Sequence, residues 1–516
     1  MHSSKTKYFA IIIFLACALT SQAADWPTFA GNPQRTGWAK DETAVNKDNV
    51  SKMKLEWSLK VDNTALELNA LTVPVIIENV ITPGAFRDLV VVGGSSDNLS
   101  AIDADTGKLV WHKQFQVEGK SKQQANWLCP NALNAAPVID LASHTVYTVT
   151  SDGILHSLNV VNGEDRKPPI RFVPSYAKTW SLNLYKDVLF TATSQGCNGV
   201  RSLVYAMKLN DPNRAISSFN AGPTGGAGIW GRAGVAISDV TALAYAEAGD
   251  GPWNPVEGKY SNSFLAVSAD GKLADYYTPT DYAWISKKDL DMGNISPVVF
   301  PFDKWELVAG GGKQGVLYLL DAKSLGGVDH RTPLYRSPLL LNDGVDFAGH
   351  GFWGALSSWK DEMGTTWLYA PAWGPVATEA PKFPVSYGTV TAGSIMAFKL
   401  SVKDGKPVPE AAWISRNLSY PEPVVIANGI VFAVSNGENV KQVDSAGDIL
   451  SSAQRANAPT GNATLYAFDA ETGKELFSSG KTIPGFTHFS GLAISSGRVY
   501  VVTHDSIVYA FGLGRK

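Results

Sequence analysis

Acidic side chains occur at short spacing in the middle of the chain, where they could bind a metal ion. Asp289 and Asp291 are separated by one residue, so in an extended segment their carboxylates lie on one face and could share a cation. Asp250 lies in a glycine-containing turn and offers a further oxygen ligand for a hard cation. The alternative for the Asp289–Asp291 pair is a loop in which the two carboxylates cap backbone amides.

Two other residues have the chemistry to bind a flat, charged ligand. Trp230 carries an indole whose whole face can be buried against a planar molecule. Lys313 precedes the apolar run of residues 316–320 and could stabilise negative charge that develops on a carbonyl oxygen. The alternatives are ordinary packing between sheets for Trp230 and a solvated loop for Lys313.

Aromatic residues and two histidines form a further set of candidates. The aromatic residues fall within residues 353–373 and could line a substrate mouth or simply pack within the fold; they are Trp353, Trp359, Trp367, Trp373 and Tyr369. His350 and His488 lie in predicted loops bounded by glycines and are candidate site residues.

Composition excludes several classes of protein. The 516 residues include 44 basic and 47 acidic side chains, a formal net charge of −3. A nucleic-acid-binding protein would normally carry a basic stripe, so no nucleic-acid partner is expected. Hydrophobic residues make up 45% of the chain, which is enough for a large core and argues against disorder.

The first residues predict export. Lys5 and Lys7 precede an apolar run, and Ser21, Gln22 and Ala23 resemble a cleavage site, so residues 1–23 are predicted to be a signal peptide. Residues 24–516 are then a single domain. No other run approaches the ~20 apolar residues of a membrane span. The protein is therefore expected to be periplasmic or secreted, with no membrane span.

Two cysteines remain after removal of the signal peptide. Cys129 and Cys197 are an even number in an oxidising compartment, which favours a disulfide, with two free thiols as the alternative. There is no Cys-x-x-Cys-His sequence, so a covalently attached haem is not expected.

The elements that would position these residues are repeated β-strands. A phrase of one apolar residue, one aromatic or small residue, alanine or a substitute, and another apolar residue occurs eight times, at residues 99–103, 155–159, 204–208, 264–268, 317–321, 395–399, 465–469 and 508–512. Four short strands per repeat predict an all-β fold, an eight-bladed β-propeller with four-stranded blades. The last copy lacks an outer strand, which residues 54–60 would supply to close the ring. The alternative is a pair of β-sandwiches.

These phrases resemble the superfamily of pyrroloquinoline-quinone (PQQ) propellers. Leu-Tyr-Ala-Phe-Asp at residues 465–469, followed by Thr-Gly-Lys at 472–474, is similar to its blade signature. Residues 26–31, Trp-Pro-Thr-Phe-Ala-Gly, look like the N-terminal segment of this group. The superfamily includes quinoprotein alcohol dehydrogenases and also a non-catalytic scaffold, the outer-membrane assembly lipoprotein.

Three segments resemble the dehydrogenase branch and imply site residues. Trp230 matches the tryptophan under the quinone, and Asp250 matches a metal ligand that is usually asparagine. Asp289 matches the base that removes the alcohol proton, and Asp291 matches a second aspartate associated with a lanthanide. Asp281 is a rival for the base because the spacing after Thr278 and Pro279 is longer here. Lys313 matches the basic residue that contacts the quinone oxygens.

The chain also departs from the dehydrogenase pattern. Cys197 stands where a metal-binding glutamate is expected, and the adjacent cysteine pair of many members is absent. Cys129 and Cys197 would be a non-adjacent substitute for that pair. Phe352 occupies a position that is often polar. The missing carboxylate weakens the expectation of calcium, although Asp291 could compensate.

The resemblance implies oxidation of an alcohol with PQQ and calcium or a lanthanide. Asp289 would take the hydroxyl proton, a cation on Asp250 and Asp291 would polarise the quinone, and Lys313 would assist. Electrons would pass to an external acceptor such as a cytochrome c. The alternative function is a non-catalytic propeller that binds protein partners.

Overall fold

The computed structural model describes residues 24–458 and 461–514, so the predicted signal peptide lies outside the described residues. Eight sheets follow one another along the chain, antiparallel except for one edge pair in the sixth, and hydrophobic clusters join one sheet to the next. One cluster joins the seventh, eighth and first sheets, so the ring is closed. The predicted eight-bladed propeller is confirmed, and the pair of sandwiches is excluded.

The first four blades contain the following strands, from the innermost outward. Blade 1 has Val75–Thr82, Ala85–Gly94, Asn98–Asp103 and Leu109–Gln114, and blade 2 has Val138–Asp140, Thr145–Val149, Ile154–Asn159 and Asp165–Arg171. Blade 3 has Lys178–Thr179 and Asn183–Tyr185 as a divided inner strand, then Val188–Ser194, Leu203–Lys208 and Ile216–Asn220. Blade 4 has Ala236–Ile237, Ala244–Ala248, Ser263–Val267 and Leu273–Tyr277, with a small hairpin of Trp253–Asn254 and Lys259–Tyr260.

The last four blades continue the same order. Blade 5 has Val298–Phe302, Trp305–Gly310, Tyr318–Asp321 and Tyr335–Arg336. Blade 6 has six strands, namely Gly351–Phe352, Ser357–Lys360, Thr366–Trp373, Gly393–Lys403, Lys406–Ile414 and Val385–Ser386. Blade 7 has Val425–Ala427, Ile430–Ser435, Thr464–Asp469 and Glu475–Ser478, and blade 8 has Ala493–Ser495, Arg498–Val502, Ile507–Gly512 and Lys54–Lys60. Two further short strands pair in parallel: Ile295–Ser296, which precedes blade 5, and Gly354–Ala355, which lies between the first two strands of blade 6.

Helices are short in the described residues. There are two α-helices, Tyr282–Lys287 and Ser452–Asn457, and three 3₁₀-helices, Val50–Lys52, Cys197–Gly199 and Pro255–Glu257. No helix in residues 24–458 and 461–514 has the length and hydropathy that a membrane span requires.

Each of the eight repeated phrases forms or overlaps the third strand of a blade. The strand Lys54–Lys60 pairs antiparallel with Ile507–Gly512 and supplies the outer strand of blade 8, as predicted. This pairing ties the N-terminal part of the chain to the last blade, so the ring has no open edge there.

A tryptophan on the outer strand of one blade packs against a turn glycine of the next. Trp57 of blade 8 donates a hydrogen bond to Ala104 O, and a Cβ on Gly107 would come within 2.7 Å of its ring. The same arrangement joins Trp111 to Gly163. The glycine of the Thr-Gly-Lys turn is therefore needed both for its positive φ and for the close approach of an indole.

A basal segment, residues 26–42, closes one side of the central channel. It forms hydrogen bonds with all eight blades in order, beginning with the pair Trp26 and Ile76 in blade 1 and ending with Glu42 and Gly497 in blade 8. Arg35 is fully buried within it and donates to Thr28 Oγ1 and to three backbone carbonyls. Every part of this guanidinium is thus satisfied by the protein, which gives it a structural role.

Candidate functional site

A cavity of about 320 Å³ lies in the central channel. Its lining comes mainly from the connections between blades and those between second and third strands, which emerge on the same face of a propeller. The lining includes the predicted cofactor residues Trp230 and Lys313, the predicted base Asp289, and Asp250. Other lining residues are Trp127, Leu128, Lys178, Trp180, Gln195, Arg232, Asn294, Trp353, Trp373, Arg455, His488 and Phe489.

Trp230 is held against the cavity by glycines. Its backbone N–H donates to Gly293 O at 2.7 Å. A Cβ on Gly249 would lie 3.0 Å from both the Trp230 ring and Asp291 Oδ2. The absence of a side chain at position 249 therefore lets the indole and the Asp291 carboxylate approach each other. Trp230 thus lines the cavity.

Asp289 and Asp291 follow the helix Tyr282–Lys287, and the helix end determines their geometry. Asp289 has φ 55°, the left-handed conformation that commonly ends a helix, and Leu290 N–H donates to Ile285 O at 3.0 Å. The expectation that an extended segment brings the two carboxylates together was wrong. They meet because the chain turns at Asp289, where an aspartate tolerates a conformation usually given to glycine.

We use the term acidic site for Asp250, Asp289, Asp291 and Lys313. The three aspartates each place an oxygen within 4.8 Å of the other two. Lys313 Nζ lies 2.8 Å from Asp289 Oδ1 and 2.6 Å from Asp291 Oδ1. The contact with Asp289 is a hydrogen bond, whereas the closer ion pair with Asp291 lacks hydrogen-bond alignment.

Asp291 is the residue whose surroundings most favour a cation. Its side chain is fully buried, and neither carboxylate oxygen has a hydrogen-bond partner among the described residues. Three carboxylates facing one ammonium leave an excess of negative charge when all are ionised. Buried, unsatisfied carboxylate oxygens are normally paired or bound to a metal, so this donor set fits a hard divalent or trivalent cation.

The same burial perturbs the ionisation of the acidic site. Burial raises the pKa of Asp291 well above its ordinary range, against the opposing effect of Lys313 and with the help of Asp250 and Asp289. Burial also raises the pKa of Asp250, and the Asp289 carboxylate adds to that rise. Burial of Lys313 disfavours its ammonium form, but the two nearby carboxylates outweigh this effect and raise its pKa.

Asp281, the rival for the base, lies apart from the acidic site. Arg336 Nη2 and Gln314 Nε2 each donate to its Oδ2 at 2.9 Å. It precedes the helix Tyr282–Lys287 and does not line the cavity. The longer spacing after Thr278 is therefore occupied by one turn of helix, and Asp289 is the aspartate that faces the cavity.

The disulfide prediction is confirmed, since Cys129 and Cys197 are bonded. This bond joins the connection between blades 1 and 2 to the Cys197–Gly199 turn of blade 3. Leu128 and Gln195, which flank the two cysteines, line the cavity. The cysteine that replaces the expected carboxylate thus shapes the cavity wall.

The aromatic candidates divide into two groups. Trp353 and Trp373 line the cavity, stack with ring centroids 4.9 Å apart, and contact Phe489. The other three pack in the hydrophobic cluster between blades 6 and 7; they are Trp359, Trp367 and Tyr369. His488 lines the cavity, whereas His350 does not and faces Asn342.

Among the polar cavity residues that sequence reasoning missed are Lys178, Arg232 and Asn294. Lys178 lies on a two-residue inner strand, and Arg232 follows the predicted Trp230 by two residues. The Oδ1 atom of Asn294 is buried without a hydrogen-bond partner in the described structure. The proximity of Arg232 to Trp230 was the one available signal in the sequence.

A buried charge cluster supports the cavity from blade 7. Glu438 forms an ion pair with Arg455 at 3.1 Å and a hydrogen bond with His488 Nδ1 at 2.7 Å. Arg455 also lies over the Trp127 ring, 4.8 Å from its centroid. It so links the segment between the second and third strands of blade 7 to the connection between blades 1 and 2. Burial raises the pKa of Glu438 to about 7.

Comparison with known proteins agrees with this architecture. Residues 26–172 match the family described as glucose/ethanol/alcohol dehydrogenase, β-propeller domain, of the PQQ type. Quinate/shikimate dehydrogenase (quinone) of Acinetobacter baylyi is 29% identical over 135 residues. That match covers 23% of this chain and 16% of the relative, so the chain matches only a small part of that protein.

Solved structures extend the likeness to nearly the whole chain. Quinohaemoprotein alcohol dehydrogenase from Pseudomonas putida has a TM-score of 0.62 at 15% identity, covering 96% of this chain and 81% of the other. The corresponding enzyme from Comamonas testosteroni gives 0.60 at 16% identity, with 96% and 82% covered. Europium-containing methanol dehydrogenase gives 0.58 at 15% identity, with 94% and 89% covered.

At these identities the structural matches establish the fold, and the sequence match covers the first part of the ring. The chain is therefore an eight-bladed β-propeller that shares its fold with quinoprotein alcohol and methanol dehydrogenases and is similar to the PQQ-type propeller family over residues 26–172.

Proposed function

We propose that the protein is a quinoprotein dehydrogenase that oxidises an alcohol with PQQ and a bound metal ion. The observation that carries this proposal is the fully buried Asp291 carboxylate, which has no hydrogen-bond partner among the described residues and lies beside Asp250, Asp289 and Lys313. A scaffold that binds proteins on its rim has no need for such a group, because a buried carboxylate without a ligand is destabilising.

The cavity has the features that a flat quinone requires. Trp230 presents its indole to the cavity, and Gly249 leaves the space beside that ring open to the acidic site. Lys313 Nζ lies 5.5 Å from the Trp230 ring centroid, a position from which it could donate to an oxygen at the edge of a planar molecule. When bound, PQQ supplies the electron-accepting carbonyl and the metal supplies a Lewis acid.

The chain's own residues would divide the remaining work. Asp250 and Asp291 would hold the cation, with Asn294 Oδ1 as another unsatisfied oxygen on the cavity wall. Asp289 is about half exposed and faces the cavity, so it could accept the hydroxyl proton of an alcohol. Lys313 would keep Asp289 oriented through their hydrogen bond.

Substrate, acceptor and location belong to the same proposal. Trp353 and Trp373 give the cavity an apolar wall beside which an alcohol could bind. Electrons would leave to an external acceptor such as a cytochrome c, since the sequence lacks a site for covalent haem. The Cys129–Cys197 disulfide supports a periplasmic or secreted location.

The test is reconstitution of metal-free protein with PQQ and either calcium or a lanthanide. We expect the quinone absorbance spectrum to change only when a metal is present, and dye-linked oxidation of alcohols to follow. Asp291→Asn should lose the metal dependence, whereas Asp281→Asn should behave like the wild type. Absence of any quinone binding by the wild type with all metals would refute the proposal.

A further inference from the structure

Two basic side chains in the cavity, the buried Lys178 and the partly buried Arg232, have no carboxylate partner in the described structure. Lys178 is 4% exposed, and the only hydrogen bond that its Nζ makes to the described residues is a long one of 3.5 Å to Trp127 O. The guanidinium of Arg232 donates no hydrogen bond to the described residues. No carboxylate oxygen of those residues lies within 4 Å of either charge. We call these two residues the cationic pair.

Other buried cations of the same protein show how unusual this is. Arg35 is fully buried, but four hydrogen bonds satisfy it. Arg455 is paired with Glu438, and Lys313 is paired with two aspartates. The cationic pair differs because its hydrogen-bonding groups remain available to the cavity, and a buried charge without a partner is costly.

Aromatic rings hold the cationic pair in place without neutralising it. Lys178 Nζ lies 5.4 Å from the Trp180 ring centroid, and Arg232 Cζ lies 4.9 Å from the same centroid. Arg232 Cζ is also 4.2 Å from the Phe489 ring. Trp180 is itself fixed by a 2.8 Å hydrogen bond to Ser194 Oγ. These contacts fix the two charges before any ligand arrives.

We propose that Lys178 and Arg232 form a carboxylate-binding site inside the cavity, distinct from the acidic site. Because the guanidinium lies over two aromatic rings, a ligand reaches its N–H groups edge-on, in the plane in which a carboxylate accepts two parallel hydrogen bonds. The ammonium of Lys178 supplies a second positive charge to the same group. The ligand of the cavity therefore carries at least one carboxylate.

This inference rests on the proposed function for the source of the carboxylate. PQQ is a tricarboxylic acid, so the group could belong to the cofactor. It could instead belong to the substrate, which would then be a hydroxy acid rather than a neutral alcohol. The chemistry at Lys178 and Arg232 is the same in both cases, and the experiment separates them.

The ionisation of Lys178 gives the site a second measurable property. Burial, together with the positive charges of Arg232 and Arg455, lowers the pKa of Lys178 well below its ordinary value. The other titratable groups around the pair are Glu422, Glu438 and His488. A carboxylate that binds Lys178 raises its pKa again, so binding takes up protons from solution.

The experiment compares ligands with and without carboxylates on wild type, Lys178→Met, Arg232→Met and the charge-keeping Arg232→Lys. Lys186→Met is the matched control, because Lys186 is an exposed lysine of the same blade. Titration calorimetry in buffers of different ionisation enthalpy measures affinity and proton uptake. The first pair of probes is PQQ and its trimethyl ester. The second pair is quinate and methyl quinate, each added to protein with and without bound PQQ.

We expect one acid of these probe pairs to bind about tenfold to a hundredfold more weakly to both Met variants, with Arg232→Lys intermediate. The matching ester should bind all variants alike, and Lys178→Met should abolish proton uptake. Loss confined to PQQ assigns the carboxylate to the cofactor, and loss confined to quinate assigns it to the substrate. Equal affinity of both acids for wild type and both Met variants would overturn the carboxylate site.

Failure of the proposed function gives a different pattern. If the wild type binds no PQQ but binds quinate through Lys178 and Arg232, the carboxylate site stands and the quinoprotein function falls. If the wild type binds PQQ with a metal but neither Met variant changes any affinity, the quinoprotein function stands and the carboxylate site falls. Binding of neither acid by the wild type would refute both.

Discussion

The acidic site and the cationic pair bury charge in the same cavity but differ in how much of it the protein compensates. At the acidic site Lys313 is shared between Asp289 and Asp291, so part of the negative charge is balanced internally. At the cationic pair Lys178 and Arg232 are balanced by no carboxylate within 4 Å in the described structure. This difference is what the two proposals predict: a cation and proton transfer at the acidic site, and an anion that arrives with the ligand at the cationic pair.

The largest expected effect is on turnover at the acidic site. Asp289→Asn should lower the rate of dye-linked alcohol oxidation by about 10²- to 10⁴-fold, because the variant loses its proton acceptor. Asparagine also tolerates the left-handed backbone at this position, so the fold should be kept.

Asp281→Asn is the control for that substitution. It removes a partly exposed ion pair with Arg336 and should change turnover less than about twofold and stability by about 1 kcal/mol or less. A loss of turnover in Asp281→Asn that equals the loss in Asp289→Asn would contradict the assignment of Asp289 as the base.

The next effect is on metal binding. Asp291→Asn should weaken binding of calcium or a lanthanide by about a hundredfold or more, since even an outer partner of a metal ligand typically contributes tenfold to a hundredfold. Titration calorimetry on metal-free protein measures this directly. If Asp291→Asn bound the metal as tightly as the wild type, the cation would have to lie elsewhere.

How far the sequence predicts this molecule depends on the kind of feature. The repeated phrases locate the third strand of every blade, because the alternation of apolar residues and the turn glycine that follows are local features that can be read from a short stretch of sequence. The closing strand Lys54–Lys60 follows from the missing outer strand of the last repeat. Trp230 and the acidic residues follow from resemblance, and all except Asp281 do lie together.

What the sequence does not predict depends on long-range packing. Lys178 sits in no recognisable pattern, and its burial depends on Trp127 and Trp180 from separate elements. The left-handed turn at Asp289 depends on the end of a short helix. The basal segment forms hydrogen bonds with eight blades in turn, which no local pattern specifies.

A comparison of the free energies of unfolding of two variants tests whether the cationic pair lacks a partner within the protein. Arg455→Met should lower the free energy of unfolding by about 2 to 4 kcal/mol, because it leaves the buried Glu438 with only His488 as its partner. Lys178→Met should leave the ligand-free protein as stable as the wild type or more stable, since it removes a buried amino group that has no ion-pair partner. Urea unfolding measures both, and a loss in Lys178→Met as large as that in Arg455→Met would show that Lys178 has a structural role.

The smallest expected effect is on how the free energy of unfolding depends on pH, and it comes from Glu422 near the cationic pair. Burial raises the pKa of Glu422 to about 7, against the hydrogen bond that it accepts from Thr487 and the charge of Arg232. Between its unfolded pKa of about 4.3 and about pH 7 the folded state holds more protons than the unfolded chain, so stability falls as the pH rises. Above about pH 7 the contribution is constant.

Glu422→Gln should remove the fall in the free energy of unfolding that Glu422 causes between these pH values. The free energy of unfolding of the wild type minus that of the variant should fall by about 1 to 3 kcal/mol between pH 4.5 and 7. The measurement is urea unfolding across this range, with Lys186→Met as the control. A constant difference would show that Glu422 ionises normally in the folded protein.

The central claim is that the cavity binds PQQ and a metal ion between Trp230 and the acidic site. The most direct test is a crystal structure of the protein reconstituted with PQQ and a lanthanide, located by its anomalous scattering. We predict one metal peak within about 2.3 to 2.6 Å of carboxylate oxygens of Asp250 and Asp291, beside a quinone lying flat on the indole of Trp230. A metal peak remote from both aspartates, or a quinone bound outside the cavity, would contradict the account.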